Sequence, residues 1–136
     1  LRNVHIEQKI IQEAKLVLKS KQFKALCDAF SKGIPYTEII NRRTIQVEPE
    51  LPFSGMTLFK ENGFLLGKEA FVSKEELIKT LLHEIYRLET STIRKTGKAT
   101  QQEIIKETKA ASEFAESASV LLLEEINARI LDFFSN

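Results

Sequence analysis

Hydrophobic positions recur every three or four residues over three long stretches of the chain, and this spacing predicts three helical regions. The first region covers residues 3–32, as one long helix or as two helices with a break near Ser20. Gly33 and Pro35 end it, because glycine readily takes the left-handed cap conformation and proline cannot continue a helix. Its apolar positions are Ile6, Ile10, Ala14, Val17, Leu18, Phe23, Leu26, Cys27 and Phe30.

The second region, residues 73–96, is a central helix that the other elements are expected to surround. A capping box of Ser73 and Glu76 predicts its start, and Lys95-Thr96-Gly97 predicts its end. At about 100° per residue, its side chains divide into an apolar face and a polar face. The apolar face holds Leu77, Ile78, Leu81, Leu82, Ile85 and Leu88, and the polar face holds Thr80, His83, Glu84, Arg87 and Ser91.

The third region begins at a second capping box, formed by Thr100 and Glu103, and keeps helical spacing almost to the C-terminus. Small residues in its first half, such as Ala111 and Ala115, would let another helix approach closely. Several glutamates make its flanks acidic.

Between the first two helical regions, residues 34–72 show no helical period. Asn62-Gly63, between the apolar runs 56–59 and 64–67, predicts a β-hairpin in which the glycine supplies the positive φ of the turn. Residues 35–55 contain three prolines and are predicted to be irregular, with one short strand at residues 44–47.

The order of these elements predicts an α+β fold that is mostly helical, with long N- and C-terminal helices around a small antiparallel hairpin and a central helix. The length of 136 residues fits a single domain. Its three parts are an N-terminal helical segment (1–33), an irregular segment with the hairpin (34–72), and the central and C-terminal helices (73–136).

Composition and charge narrow the class of protein. A hydrophobic fraction of 43% and a charged fraction of 29% are typical of a folded globular chain, and no apolar run approaches the roughly 20 residues of a membrane span. The single cysteine, Cys27, is expected to be a buried thiol rather than a nucleophile. Residues 1–99 carry 17 Lys/Arg and 12 Asp/Glu (+5), whereas residues 100–136 carry 3 and 7 (−4).

His83-Glu84 matches the first half of the zinc motif His-Glu-x-x-His, in which the second histidine is a metal ligand and the glutamate activates water. Here Arg87 occupies the position of the second histidine, and a permanent cation there would repel zinc. The sequence therefore predicts no metal site and no cofactor.

The runs GMTLFKENGFLLGKEAFVSKEELIKTLLHEIYRLETS and ETKAASEFAESA resemble the C-terminal effector domains of bacterial polymorphic toxins, of the contact-dependent growth inhibition and Rhs types. The resemblance covers about residues 54–118. In zinc-dependent members, the matching positions are His83 and Glu84, with Glu107 or Glu113 as a later ligand, and this chain departs at Arg87.

The resemblance implies a toxin domain that is delivered from a secreted or cell-surface parent protein into the cytoplasm of a target cell. It implies a cognate immunity protein as a partner and RNA, often tRNA, as a substrate. Some toxins of this broad group also need a host translation factor such as elongation factor Tu.

RNA cleavage without a metal needs a base, an acid and a cation that stabilises the phosphate. His83 is the candidate proton-transfer group, and Glu84 would position it or act as the second proton carrier. Arg87 would bind phosphate bidentately, and Thr80 or Ser91 would orient it. Arg42 and Arg43, in the irregular segment, are candidate contacts to the RNA backbone. The sequence thus favours an enzyme, a metal-independent ribonuclease.

Other interpretations stay open. His83, Glu84 and Arg87 could be ordinary surface residues, with an ion pair between Glu84 and Arg87. Arg42 and Arg43 could be solvated side chains beside a strand. The domain could be a non-catalytic helical interaction module or a degenerate metallopeptidase scaffold, and a zinc enzyme with an unusual ligand set is a third possibility.

Overall fold

A computed structural model describes residues 3–91 and 96–125 of the chain. It is an α+β structure, 65% helical, with a four-stranded sheet and a central helix, as the sequence predicts. Two short 3₁₀ helices, Phe59–Glu61 and Lys68–Phe71, flank the last strand. In chain order, the other elements are α1 (Val4–Lys19), α2 (Lys21–Ser31), β1 (Tyr36–Ile40), β2 (Arg43–Val47), β3 (Gly55–Leu58), β4 (Gly63–Leu66), α3 (Lys74–Thr90) and α4 (Gln101–Glu125).

The N-terminal region forms two helices that meet at Ser20. This residue has extended backbone angles (φ −77°, ψ 150°), and its hydroxyl accepts a hydrogen bond from the N–H of Phe23, which caps α2. Gly33 follows α2 with a φ of +70°, the left-handed conformation expected from its position. The break near Ser20 and the glycine stop are both confirmed.

The segment 35–55 is more regular than the sequence predicts. The strand predicted at residues 44–47 is confirmed as β2. β1 pairs with it as an antiparallel hairpin, so the prediction that the rest of the segment is irregular is wrong at residues 36–40. Asn41 and Arg42 form the turn, and both have positive φ values, 52° and 68°. Such a two-residue turn usually contains glycine, and its absence here hid the hairpin.

The predicted hairpin of β3 and β4 is confirmed, and β4 also pairs in parallel with β2, which gives the strand order β1-β2-β4-β3. The prediction that Gly63 supplies the positive φ of the turn is wrong. Asn62 has the positive φ, 50°, whereas Gly63 is needed for space. A Cβ at Gly63 would lie 1.9 Å from the carbonyl oxygen of Thr44 on the neighbouring strand.

Helix α3 lies at the centre of the domain, between the sheet and α4. One cluster of buried hydrophobic residues includes members from all four described helices and from β1, β2 and β4. The predicted apolar face of α3 is confirmed, since Leu77, Ile78, Leu81, Leu82, Ile85 and Leu88 are fully buried. The polar face is buried as well at Thr80, Glu84 and Ser91, because β3 and α4 cover it.

The ends of the last two helices agree with the predictions in part. Ser73 caps α3 by accepting from the N–H of Glu76, but α3 ends at Thr90, six residues before the predicted end. The capping box at α4 is reciprocal: Thr100 accepts from the N–H of Glu103, whose carboxylate accepts from the N–H of Thr100. The remaining predicted positions, 92–95 and 126–136, lie outside the described residues.

Two further expectations concern Cys27 and membrane spans. Cys27 is buried, 7% exposed, and burial raises the pKa of its thiol to about 12, which agrees with an inert thiol. In the described parts of the chain, no helix combines the length and the apolar character that crossing a membrane requires.

Candidate active site

The side chain of Glu84 is the buried polar centre of the site. It projects from α3 toward β3 and is only 3% exposed. Its two carboxylate oxygens have different partners. Oε1 accepts a hydrogen bond of 2.5 Å from the hydroxyl of Thr57 on β3, and Oε2 lies 3.3 Å from Nδ1 of His83.

His83 lies beside this carboxylate at the edge of a cleft between α3, α4 and the start of β3. Its side chain is 22% exposed, so the imidazole reaches both the buried Glu84 and the open space of the cleft. The cavity measures about 310 Å³ and is lined by Ser54, Gly55, Glu76, Lys79, Thr80, His83, Glu84, Ser112, Ala115 and Glu116. A group bound there could exchange a proton with His83.

Lys79 places a cation in the same cleft and links two helices. Its ammonium lies 3.2 Å from Glu116 on α4, and 3.3 Å and 3.7 Å from Glu75 and Glu76 on α3. The hydrogen bonds to Glu116 and then to Glu75 raise the pKa of Lys79 above its ordinary value. The lysine therefore stays charged and neutralises part of an otherwise acidic rim.

Arg87 lies on the other side of Glu84 and is not among the residues that line the cleft. One of its terminal nitrogens donates to the hydroxyl of Thr57 at 3.3 Å, and its guanidinium carbon lies 5.3 Å from the ring centre of Phe59. Its Nε is buried and has no hydrogen-bond partner in the part of the chain that the structure describes. Thr57 thus lies between Arg87 and Glu84, in place of the direct ion pair considered from the sequence.

Thr80 and Ser91 are both buried and use their hydroxyl protons inside the protein. Thr80 lines the cleft, but its hydroxyl donates to the backbone carbonyl of Glu76 at 2.7 Å. The hydroxyl of Ser91 donates to the carboxylate of Glu107 at 2.9 Å and so ties the end of α3 to α4. Neither hydroxyl proton is available to orient a phosphate, and Ser91 does not line the cleft.

The two neighbouring arginines have different environments. Arg42 is exposed in the β1–β2 turn, where it can still meet a ligand. Arg43 is 5% exposed, and its guanidinium donates to Glu13, Glu89 and Asn62. The substrate-binding role predicted for Arg43 is therefore replaced by a structural one, since four of its five N–H groups are used in these bonds.

The later zinc ligands that the resemblance implies do not come close to the cleft of His83. Glu107 accepts from Ser91, and Glu113 lines a different cavity, beside Tyr86 and Phe114. Within residues 3–91 and 96–125, no three His, Cys, Asp or Glu side chains form a group that could hold a metal ion.

The structure adds three residues that the sequence did not single out: Gly55, Thr57 and Lys79. Gly55 and Thr57 alternate with outward-facing Met56 on β3, so the period of two along a strand is the signal that places them on one face. Lys79 precedes His83 by one helical turn, a spacing that was already visible in the sequence.

No protein-family model, no curated protein and no solved structure matches this chain.

Proposed function

We propose that this chain is an antibacterial toxin domain that cleaves RNA without a metal ion, with tRNA as the expected substrate. The observation that carries the proposal is the pair of His83 and Glu84, an imidazole at the edge of a cleft with its Nδ1 3.3 Å from a buried carboxylate. This arrangement suits a proton-transfer group at neutral pH. The toxin class and the choice of RNA rest on the resemblance of residues 54–118.

The proposed reaction is an internal transfer within the RNA chain. His83 accepts the proton of a ribose 2′-hydroxyl, and the 2′-oxygen attacks the adjacent phosphorus. The bond from phosphorus to the 5′-oxygen breaks, and that oxygen takes a proton from solvent or from the histidinium. The products are a 2′,3′-cyclic phosphate and a 5′-hydroxyl end, so no water is consumed and no metal is needed.

In this scheme Glu84 positions His83 and does not act as the second proton carrier, because its carboxylate is buried and already bonded to Thr57. Lys79 is the cation that would stabilise the charge on the phosphate, since it lines the same cleft as His83. Arg87 and the exposed Arg42 would contact the RNA chain farther from the cleft. The hydroxyls of Thr80 and Ser91 contribute to structure rather than to phosphate binding.

The proposal includes delivery from a secreted or cell-surface parent protein into the target-cell cytoplasm, and neutralisation there by a cognate immunity protein. The net charge of +5 over residues 1–99 favours an inhibitor with an acidic surface, because such a surface would compete with RNA for the positively charged residues. Elongation factor Tu is a candidate activator on the resemblance alone.

A non-catalytic interaction module is the second candidate, and the open edge of the sheet favours it. β1 is an edge strand that exposes Ile39 by 66% and Tyr36 by 40%, and such an edge can accept a strand from a partner. This candidate predicts that replacement of His83 changes nothing in cells.

The two candidates are separated by inducible expression in bacteria of the wild type, His83→Ala and His5→Ala, with growth and total RNA followed together. His5 is exposed in the first turn of α1, so its variant is the matched control. We expect growth arrest and discrete RNA fragments for wild type and His5→Ala, and neither for His83→Ala. No growth arrest and intact RNA for all three proteins, at equal abundance, would favour the interaction module.

A further inference from the structure

The carboxylate of Glu84 is held by two residues of β3 that have no role in the scheme so far. Thr57 donates to Oε1 at 2.5 Å, and Gly55 lies against Oε2, the oxygen that faces His83. A carboxylate with one oxygen fixed and the other confined has little freedom to rotate. The position of Oε2 relative to Nδ1 is therefore set from the sheet side.

The hydroxyl of Thr57 has a definite direction. A threonine hydroxyl has one proton to donate and two lone pairs that accept. Arg87 donates to Thr57 at 3.3 Å, which uses an acceptor site, so the single proton of the hydroxyl is directed to Glu84. The chain of contacts then runs from Arg87 through Thr57 and Glu84 to His83.

Gly55 leaves space that even a single added carbon would crowd. A Cβ there would lie 2.9 Å from the methyl group of Thr80 and 3.0 Å from Oε2 of Glu84. The first distance is shorter than real Cβ contacts, so Thr80, Glu84 or the strand would have to move. The missing side chain lets β3 approach α3 closely enough for Thr57 to reach the buried carboxylate.

We infer that Gly55 and Thr57 are positioning residues that hold Glu84 so that it accepts the Nδ1 proton of neutral His83, leaving Nε2 as the nitrogen that exchanges protons in the cleft. A carboxylate that bonds to one ring nitrogen selects the tautomer in this way. The use of Nε2 in RNA cleavage rests on the proposed function, whereas the tautomer itself does not.

In the described part of the chain, the charged groups that line the cleft with His83 are on helices α3 and α4. Glu76, Lys79 and Glu84 approach from α3, and Glu116 approaches from α4. From the sheet side, Ser54 and Gly55 complete the cleft and carry no charge. Among the residues that the structure describes, only Glu84 has its carboxylate placed against a ring nitrogen of His83, so the position of this carboxylate selects the tautomer.

The direct test is the ¹⁵N spectrum of the histidine side chains in the intact protein, because the ring nitrogen shifts differ between the two neutral tautomers. The spectra are recorded at about pH 8.5, two units above the ordinary histidine pKa of about 6.5. The exposed His5 is an internal reference, because an imidazole in contact with water favours a proton on Nε2. We expect the opposite tautomer, with the proton on Nδ1, for His83.

The variants compared are Thr57→Val, Thr57→Ser, Gly55→Ala and the control Thr37→Val, which makes the same change at an exposed site on β1. Thr57→Val and Gly55→Ala should shift His83 toward the tautomer of His5, whereas Thr57→Ser and Thr37→Val should retain the wild-type spectrum. A wild-type His83 spectrum like that of His5 would overturn the inference. An unchanged tautomer of His83 in folded Thr57→Val and Gly55→Ala would also overturn it. If Thr57→Val does not fold, the inference is judged on the His83 tautomer in Gly55→Ala, which should change, and in Thr57→Ser, which should not.

RNA cleavage by the same proteins separates this inference from the proposed function. If the wild type cleaves RNA, Thr57→Val should lose activity, but less than His83→Ala, and Thr57→Ser should restore it. If the wild type does not cleave RNA while its His83 carries the proton on Nδ1, the proposed function fails and the positioning inference stands.

Discussion

Glu13 on α1 holds Arg43 on β2 through two hydrogen bonds, 2.5 Å from Nε to Oε2 and 2.9 Å from Nη2 to Oε1. The same guanidinium reaches Glu89 on α3 at 2.8 Å and Asn62 beside the hairpin turn at 2.8 Å. One buried side chain thereby joins a helix, the sheet and the central helix. Burial acts to lower the pKa of Arg43, but the hydrogen bonds to Glu13 and Glu89 outweigh it and raise the pKa.

Replacement of Arg43 by methionine should therefore destabilise the fold. The substitution keeps a long apolar chain but leaves the buried carboxylate of Glu13 without its partner, which typically costs about 3–5 kcal/mol. Arg42→Met is the matched control, since Arg42 is exposed, and its effect on the free energy of unfolding should be within about 0.5 kcal/mol. Urea denaturation measures both, and equal effects would show that Arg43 is not a structural centre.

The two glycines at Gly33 and Gly63 should respond differently to asparagine. Gly33 has a φ of +70° and open space around it, so Gly33→Asn should be tolerated, because asparagine adopts this conformation readily. Gly63 is confined by the backbone of Thr44, so Gly63→Asn should cost about 1–3 kcal/mol or prevent folding. Thermal unfolding compares them, and a stable Gly63→Asn protein would contradict the close contact of β2 and β4.

Glu116 should restrain activity through its contact with Lys79. Glu116→Gln removes a negative charge from the cleft and leaves the ammonium with Glu75 and Glu76 alone, so cleavage of RNA at limiting substrate should rise by about fivefold, equivalent to about 1 kcal/mol. Glu113 lies on the same helix but lines another cavity, so Glu113→Gln is the control. A fall in kcat/KM for Glu116→Gln, or an equal rise in both variants, would contradict the role given to Lys79.

Cys27 should make the protein less stable at alkaline pH. Its pKa is raised to about 12 in the fold from an ordinary value of 9.0, first by burial and then by the charge of Asp28. Between these values the folded state keeps the thiol proton that the unfolded state loses, so stability falls as the pH rises from 9 toward 12.

At pH 10 this loss amounts to about 1.4 kcal/mol. Cys27→Ala should lack it, while the other groups that titrate in this range affect both proteins alike. Urea denaturation at pH 8 and pH 10 gives the change in the free energy of unfolding between these pH values for each protein. The same pH dependence in both proteins would exclude Cys27 as its source.

The helices were predictable because their signals are local. The spacing of apolar residues, the cap at Ser73 and the reciprocal caps at Thr100 and Glu103 depend on neighbours within one or two turns. The same is true of the β3–β4 hairpin. The β1–β2 hairpin was missed because Asn41 and Arg42 form its turn without glycine.

The site was only partly predictable because its polar face is buried by elements distant in the chain. The helical period places His83, Glu84 and Arg87 on one face, but it does not show that Thr57 lies between the last two. Arg42 and Arg43 are adjacent in sequence, yet one lies in a turn and the other points into the core. Their roles follow from the pairing of strands, which single-sequence patterns specify weakly.

The most direct test of the central claim is cleavage of total tRNA by the purified domain with a chelator present, for the wild type, His83→Ala and His5→Ala. If His83 is the proton-transfer group, wild type and His5→Ala will yield fragments ending in a 2′,3′-cyclic phosphate. His83→Ala will then be slower by about 10²–10⁴-fold with its fold intact. Cleavage by His83→Ala at the wild-type rate, or activity that disappears with the chelator, would contradict the account.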